Sequence, residues 1–197
     1  MIYDFTTNCK HYDKASYSPE SFLNTVCPKC GAIGRFNLHG SYSRYIIFLI
    51  GLSLIHTSIV IRRIRCKSCK STHAILPRDI IAYRLLSLSV VLLILFKHYL
   101  KSIPVLQLTA EYRFSHQFIY GVINTFNRFR EYIFLFFRQS DPQGHPASSN
   151  RELLEKINVF NPPILFQFNY MAWDRRPCFM CKFLGLLNPP YISIRPP

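Results

Sequence analysis

Strand-favouring apolar residues cluster between residues 42 and 65, alternating in part with polar ones, and a helical pattern takes over after Pro77. Tyr42–Leu49 and Ile55–Arg65 are rich in Ile, Val, Tyr, Phe and Thr, the residues that fit a pleated surface, and Gly51 and Ser53 between them supply a turn. The spacing predicts a hairpin. In its second strand Ile59, Ile61 and Arg63 share one face, and Val60, Arg62 and Ile64 the other. The stretch Tyr45–Ile61 also lacks any formal charge and sits at the lower length limit of a membrane-spanning helix, the alternative reading.

From Tyr83 to Leu100 the apolar positions Leu85, Leu86, Leu88, Val91, Leu92, Leu95 and Phe96 form a broad helical stripe. The apolar run within it, Leu85–Phe96, is too short to cross a bilayer and reads as core. Val105–Tyr112 predicts a short helix, with Ser102 as a cap and Pro104 tolerated near the first turn. Arg113-Phe114-Ser115 predicts a turn, and Ser115 the N-cap of a longer helix from His116 to about Phe137. One face of that helix carries Phe118, Ile119, Val122, Ile123, Phe126 and Phe129. The other shows His116, Gln117, Tyr120, Asn124, Asn127 and Arg128. Residues 139–150 read as a linker by composition. Arg151–Val159 reads as a short helix, and the remainder, rich in Pro and aromatics, as an irregular tail.

Two Cys-x-x-Cys pairs frame the hairpin: Cys27-Pro28-Lys29-Cys30, followed by Gly31, and Cys66-Lys67-Ser68-Cys69, followed by Lys70. Each such turn presents two thiolates from one tight loop, and two turns complete the tetrahedral set that Zn²⁺ takes in closed structural sites. Cys27, Cys30, Cys66 and Cys69 are therefore the expected ligands of a structural Zn²⁺; four reduced core cysteines or a disulfide pair are the alternatives. A membrane helix between the pairs would separate them by about 25 Å, which favours the hairpin. The expected fold class is α+β. A zinc ribbon (26–78), a β-hairpin with two knuckles, follows an irregular lead-in (1–25) with a short helix near Ser21. A helical helix-turn-helix domain (79–138), the linker (139–150) and the tail (151–197) complete the chain.

Charge changes the picture. Lys and Arg number 24 against 10 Asp and Glu, a formal net charge of +14, which implies an acidic partner: DNA, RNA or an anionic membrane surface. A hydrophobic fraction of 49% excludes a disordered basic tail. Met1–Phe5 holds no basic region followed by an apolar run, so no secretion signal is expected, and 7 cysteines then fit a reducing cytoplasm.

Four strings, Cys27-Pro28-Lys29-Cys30-Gly31, His39-Gly40-Ser41-Tyr42-Ser43-Arg44, Ile61-Arg62-Arg63-Ile64-Arg65-Cys66-Lys67-Ser68-Cys69 and Thr72-His73-Ala74-Ile75-Leu76-Pro77, taken together resemble the N-terminal zinc-ribbon region of insertion-sequence transposases. They also resemble an uncharacterised bacterial family with that ribbon and a helix-turn-helix. The resemblance covers roughly residues 25–130 and implies DNA binding in the context of a mobile element. Lys70 in place of Gly and the apolar segment Ile46–Leu54 depart from the pattern.

On this reading Arg35, Arg44, Arg62, Arg63, Arg65 and Lys67 contact phosphates of double-stranded DNA, and His116, Gln117, Tyr120 and Asn124 read bases. A separately encoded transposase and self-association are further expected partners, and membrane insertion of Tyr45–Ile61 and Leu85–Phe96 is the competing class. A transposase nuclease needs three carboxylates around its metals. After the helical pair there remain Glu131, Asp141, Glu152, Glu155 and Asp174, too scattered to form that set, so the chain is expected not to be an enzyme. His39 and His73 are candidate ligands or phosphate contacts, with hydrogen bonding of the local turn as the plainer reading. Cys178 and Cys181 are candidates for a second metal with Cys9 and His11, with unmetallated thiols as the plainer reading.

Overall fold

The computed structural model of the protein describes residues 2–4, 7–80, 84–140, 145 and 147–159. It is α+β. Four strands, β1 (Ile2–Asp4), β2 (Phe36–Ile50), β3 (Ser53–Cys66) and β4 (Thr72–Pro77), precede four helices, α1 (Leu88–Tyr99), α2 (Val105–Tyr112), α3 (His116–Ser140) and α4 (Asn150–Val159). The sheet order is β1-β4-β3-β2, with β1 parallel to β4 and the other neighbours antiparallel.

The expected hairpin is present and longer at both ends than the apolar alternation indicates. Its strands pair from Phe36↔Cys66 to Ile50↔Ser53 across a turn at Gly51-Leu52. Tyr45–Ile61 is thus strand, turn and strand, which removes the spanning-helix reading. No helix among the described residues is long and apolar enough to cross a membrane.

The partial alternation expected along β3 changes face partway along the strand. Ile59 and Ile61 are buried, and so are Ile64 and Cys66, which have the opposite parity. A register irregularity between Leu38 and Ser41, where Gly40 takes φ +73°, accompanies the change. The consequence is a sheet with a core on each side. Ile46, Phe48, Ile59, Ile61 and Leu76 pack toward the helices. Phe36, Ile64, Cys66 and Ile75 pack with Ile2, Phe22 and Cys27 in a smaller cluster. Neighbours Ile75 and Leu76 on β4 point to opposite cores, as a pleated strand requires.

The described residues of the lead-in carry three short elements. β1 adds to the edge of β4, and 3₁₀ turns at Tyr12–Lys14 and Pro19–Phe22 hold Tyr12 and Phe22 in the interior. The Tyr12 hydroxyl donates to the Ile75 carbonyl at 2.7 Å and accepts from the Arg62 amide at 3.1 Å. The short helix expected near Ser21 is the second of these turns, closed by reciprocal bonds between Ser18 and Ser21.

α1 starts at Leu88, later than the periodicity from Tyr83 indicates; 81–83 lie outside the described residues. Leu85–Ser87 is extended because it bonds the outer edge of β2: the Ile47 amide donates to the Leu85 carbonyl at 2.8 Å and the Ser87 amide to the Ile47 carbonyl at 2.9 Å. Ser102 does not cap α2. It takes φ 55° and terminates α1, where the Ile103 amide reaches the Lys97 carbonyl at 3.0 Å. Pro104 occupies the N-cap of α2.

The turn between α2 and α3, the Ser115 cap and the helix over the 150s stand where the sequence places them. Arg113, at φ 54°, closes α2, and the Ser115 hydroxyl accepts the Phe118 amide at 3.2 Å to open α3. Ile119, Ile123, Phe126, Ile133 and Phe137 bury one stripe of α3, the spacing of a helix face. α3 packs on α1, α2 and α4, and α1 packs against β2.

Gln139 and Ser140 belong to α3, so the linker begins later than its composition indicates; 141–144 and 146 lie outside the described residues. So do the tail from 160 onward, with Cys178 and Cys181, and the side chain of Phe129.

Candidate metal centre

Two knuckles of the same backbone design face each other at the base of the hairpin. In the first, the Cys27 amide donates to the Ala32 carbonyl at 2.8 Å and the Gly31 amide to the Cys27 carbonyl at 2.9 Å. In the second, the Cys66 amide donates to the Ser71 carbonyl at 2.9 Å and the Lys70 amide to the Cys66 carbonyl at 3.0 Å. Gly31 and Lys70 hold the left-handed position, φ 74° and 61°. The Lys67 amide donates to the Arg35 carbonyl at 2.7 Å and ties the knuckles together. Gly34 has no substitute here: at φ +65°, an added Cβ would lie 2.4 Å from the Leu23 carbonyl oxygen.

The four thiols of Cys27, Cys30, Cys66 and Cys69 lie within 4.8 Å of one another. Cys27 and Cys69 sulfurs are 3.7 Å apart, and so are those of Cys30 and Cys66. A tetrahedral ion with metal–sulfur bonds of about 2.3 Å separates its ligands by about 3.8 Å. The donor set and its spacing therefore fit a metal ion. Disulfides, with sulfurs about 2.05 Å apart, are not formed among the described cysteines.

Burial divides the four. Cys27 and Cys66 are inaccessible, Cys69 is half-buried and Cys30 is exposed. Burial pushes the Cys27 thiol up to about 12, whereas the hydroxyl and amide of Ser71 bring Cys69 down to about 6. A bound cation stabilises every thiolate and removes this disparity.

His73, one of the two histidines considered as ligands, is buried on β4 opposite Ile64, with Nε2 3.4 Å from the Cys27 sulfur and the ring edge-on to Phe36. Burial lowers its pKa to about 4, so the ring is neutral. It is outside the four-sulfur cluster. The plain local-turn reading missed this because the bond spans 46 positions of sequence. The legible signal was parity, since His73 shares a strand face with Ile75. His39 is exposed on β2. Cys9, considered for a second metal, instead donates its thiol to Asp79 at 2.7 Å and its amide to the same carboxylate at 2.8 Å.

The basic residues fall into two groups. Arg35, Arg62, Arg63, Arg65 and Lys67 belong to the hairpin base and the knuckles; Arg35, Arg62, Arg65 and Lys67 are exposed and Arg63 is half-buried. Arg65 donates Nε to the Lys70 carbonyl at 3.1 Å. Arg44 stands apart, its guanidinium donating to the Arg84 carbonyl at 2.6 Å.

His116, Gln117, Tyr120 and Asn124 are all exposed on α3. Gln117 lines a groove of about 240 Å³ with Arg84, Leu86, Val91, Gly121 and Thr125, which the periodicity did not reveal because Arg84 comes from another element. Asn127, on the same polar side, is taken by the fold: its side-chain oxygen accepts from the Tyr99 hydroxyl at 2.8 Å and from Asn150 at 3.0 Å.

Residues 27–122 match the family model of a domain of unknown function, DUF6431. The match opens on Cys27, the first cysteine of the cluster, and ends at Val122 within α3, so it spans the four cysteines, the hairpin, α1, α2 and the first turns of α3. No curated protein matches the chain, and no solved structure does.

Proposed function

We propose that this chain is a cytoplasmic DNA-binding protein whose four cysteines hold a structural Zn²⁺, acting in a mobile-element context without a nuclease of its own. The observation that carries the reading is the division of α3. Ile119, Ile123 and Phe126 are buried, while His116, Gln117, Tyr120 and Asn124 stand exposed on its first turns, after a short helix and a three-residue turn. That is the arrangement in which a recognition helix offers polar side chains to base edges. The charge of +14 supplies the complementary attraction to phosphate. Zn²⁺ suits four thiolates in tetrahedral spacing, because soft sulfur donors and that geometry select it. The resemblance to transposase N-terminal regions supports the mobile-element context.

The reading assigns no catalytic step. Among the described residues the late carboxylates have structural partners: Glu131 takes Arg130, Glu152 accepts the Ser148 amide and hydroxyl, and Glu155 takes Arg151.

Fluorescence anisotropy of the zinc-loaded protein on random duplex DNA, from low to moderate salt, tests the proposal. Affinity falling steeply with salt is expected; no binding at low salt overturns it. A zinc-ribbon module for binding another protein chain, such as a separately encoded transposase, is the second reading. It is favoured by Leu52, 89% exposed at the hairpin tip beside exposed Ile50. Salt-insensitive capture of a purified partner together with no DNA binding would put it first.

A further inference from the structure

We propose that His73 is a positioning residue of the metal centre, donating an Nε2–H hydrogen bond to the Cys27 thiolate and so governing how firmly the ion is held. The inference rests on the metal reading of the four cysteines and is independent of DNA.

The geometry carries it. Nε2 lies 3.4 Å from the Cys27 sulfur, within reach for an N–H···S bond. Both groups are buried, with Cys27 at 0% exposure and His73 at 7%, so water does not compete for the sulfur from that side. The imidazole is held by its own surroundings: His73 is paired opposite Ile64 in the β3–β4 ladder, and Phe36 stands against the ring at 79°. The donors that lie within 4.8 Å of one another are the four sulfurs, so His73 stands behind Cys27 rather than in the ligand set.

A divalent ion with four thiolates has an excess of negative charge. At a buried sulfur that excess is costly unless a donor faces it. Exposed Cys30 has water for this, and Cys27 has His73. With the sulfur ionised, only the tautomer that carries its proton on Nε2 makes the bond. The same contact couples the ion to the small core, because His73 and Ile75 share one face of β4 and Ile75 packs with Phe36 and Cys66.

Two variants and one measurement on the wild type test this. His73→Phe keeps a planar ring and removes the donor; His73→Gln keeps an N–H at similar reach. Zinc affinity, by competition with a chromophoric chelator, is expected to fall by about 10- to 100-fold in His73→Phe and to recover largely in His73→Gln. In the cobalt-substituted proteins the sulfur-to-metal charge-transfer band should move to lower energy in His73→Phe and return in His73→Gln. Unchanged affinity and band in His73→Phe overturn the proposal. So does an affinity loss that Gln does not rescue, which is the mark of packing alone. Should His73→Phe fail to fold, the imidazole nitrogens of zinc-loaded wild type decide: a proton on Nε2 supports the bond, and the opposite tautomer overturns it. A wild type that binds no zinc would instead remove the metal reading itself.

Discussion

Gly31 and Lys70 occupy the same place in the two knuckles. Each amide closes onto the carbonyl of the first cysteine of its pair, and each backbone is left-handed, at φ 74° and 61°. Gly31 accepts this without strain, whereas Lys70 carries a Cβ against its carbonyl, at a cost of roughly 1–2 kcal/mol. The Lys70 carbonyl in turn accepts from Arg65 at 3.1 Å. Lys70→Gly is expected to raise the stability of the zinc-loaded protein by up to about 1 kcal/mol after its extra unfolded-state entropy is counted. Gly31→Ala should lower it by about 1 kcal/mol. Urea titrations of both variants check the pair; equal effects of the same sign would contradict the shared geometry.

Cys66 lies at the centre of the arrangement, ending β3 and packing in the small core as well as facing the other thiols. Cys66→Ser should abolish stoichiometric metal binding and unfold the hairpin base, because binding energy at such sites is folding energy. Metal content by elemental analysis and near-ultraviolet circular dichroism read the two effects. Retention of one ion per chain with an unaltered melt would remove Cys66 from the ligand set. Chelation of the wild type should produce the same loss.

Tyr12 is a latch between the N-terminal segment and the sheet. Its hydroxyl bridges the Ile75 carbonyl and the Arg62 amide. Tyr12→Phe keeps the ring and strands two backbone groups, so a loss of about 1–3 kcal/mol is expected. Denaturant midpoints measure it. An unchanged midpoint would mean that the bridge is dispensable.

Lys97 on α1 reaches Glu111 on α2 and sits 5.0 Å from the Tyr112 ring centroid. The bond to Lys97 holds the Glu111 carboxyl below its ordinary pKa. A depressed carboxyl stabilises the fold above the unfolded pKa and loses that contribution as pH falls through the folded one. Glu111→Gln should therefore cost about 0.2–1 kcal/mol near neutrality, the range of solvent-screened pairs. The difference from wild type should vanish in acid. Thermal melts across that pH range test the direction.

The two groups of proposed DNA contacts should behave differently. Arg65→Ala is expected to weaken binding to all duplexes alike and to reduce the salt slope by about 1. Gln117→Ala should leave the slope in place and relax preference at one position, by about 1–3 kcal/mol of discrimination. Anisotropy titrations with specific and random duplexes separate them. A uniform affinity loss in Gln117→Ala would contradict base reading.

Features governed by neighbours in the chain were legible in advance. The two Cys-x-x-Cys turns, the hairpin between them, the 105–112 helix and the Ser115 cap all follow from residues a few positions apart, where periodicity and capping act. Their assembly was not. Tertiary structure brought the four sulfurs within 4.8 Å of one another, because strand register brings the ends of a long hairpin together. It also docked Tyr12 onto Ile75, turned Ser102 from the start of one helix to the end of another, and set Leu85–Ser87 against β2 in place of a helical turn. The contact between His73 and Cys27 belongs to the same class: a pairing across 46 residues depends on which face of β4 meets the knuckles. Local pattern specifies elements, but a bond between distant residues depends on how those elements pack, and packing is a property of the whole chain.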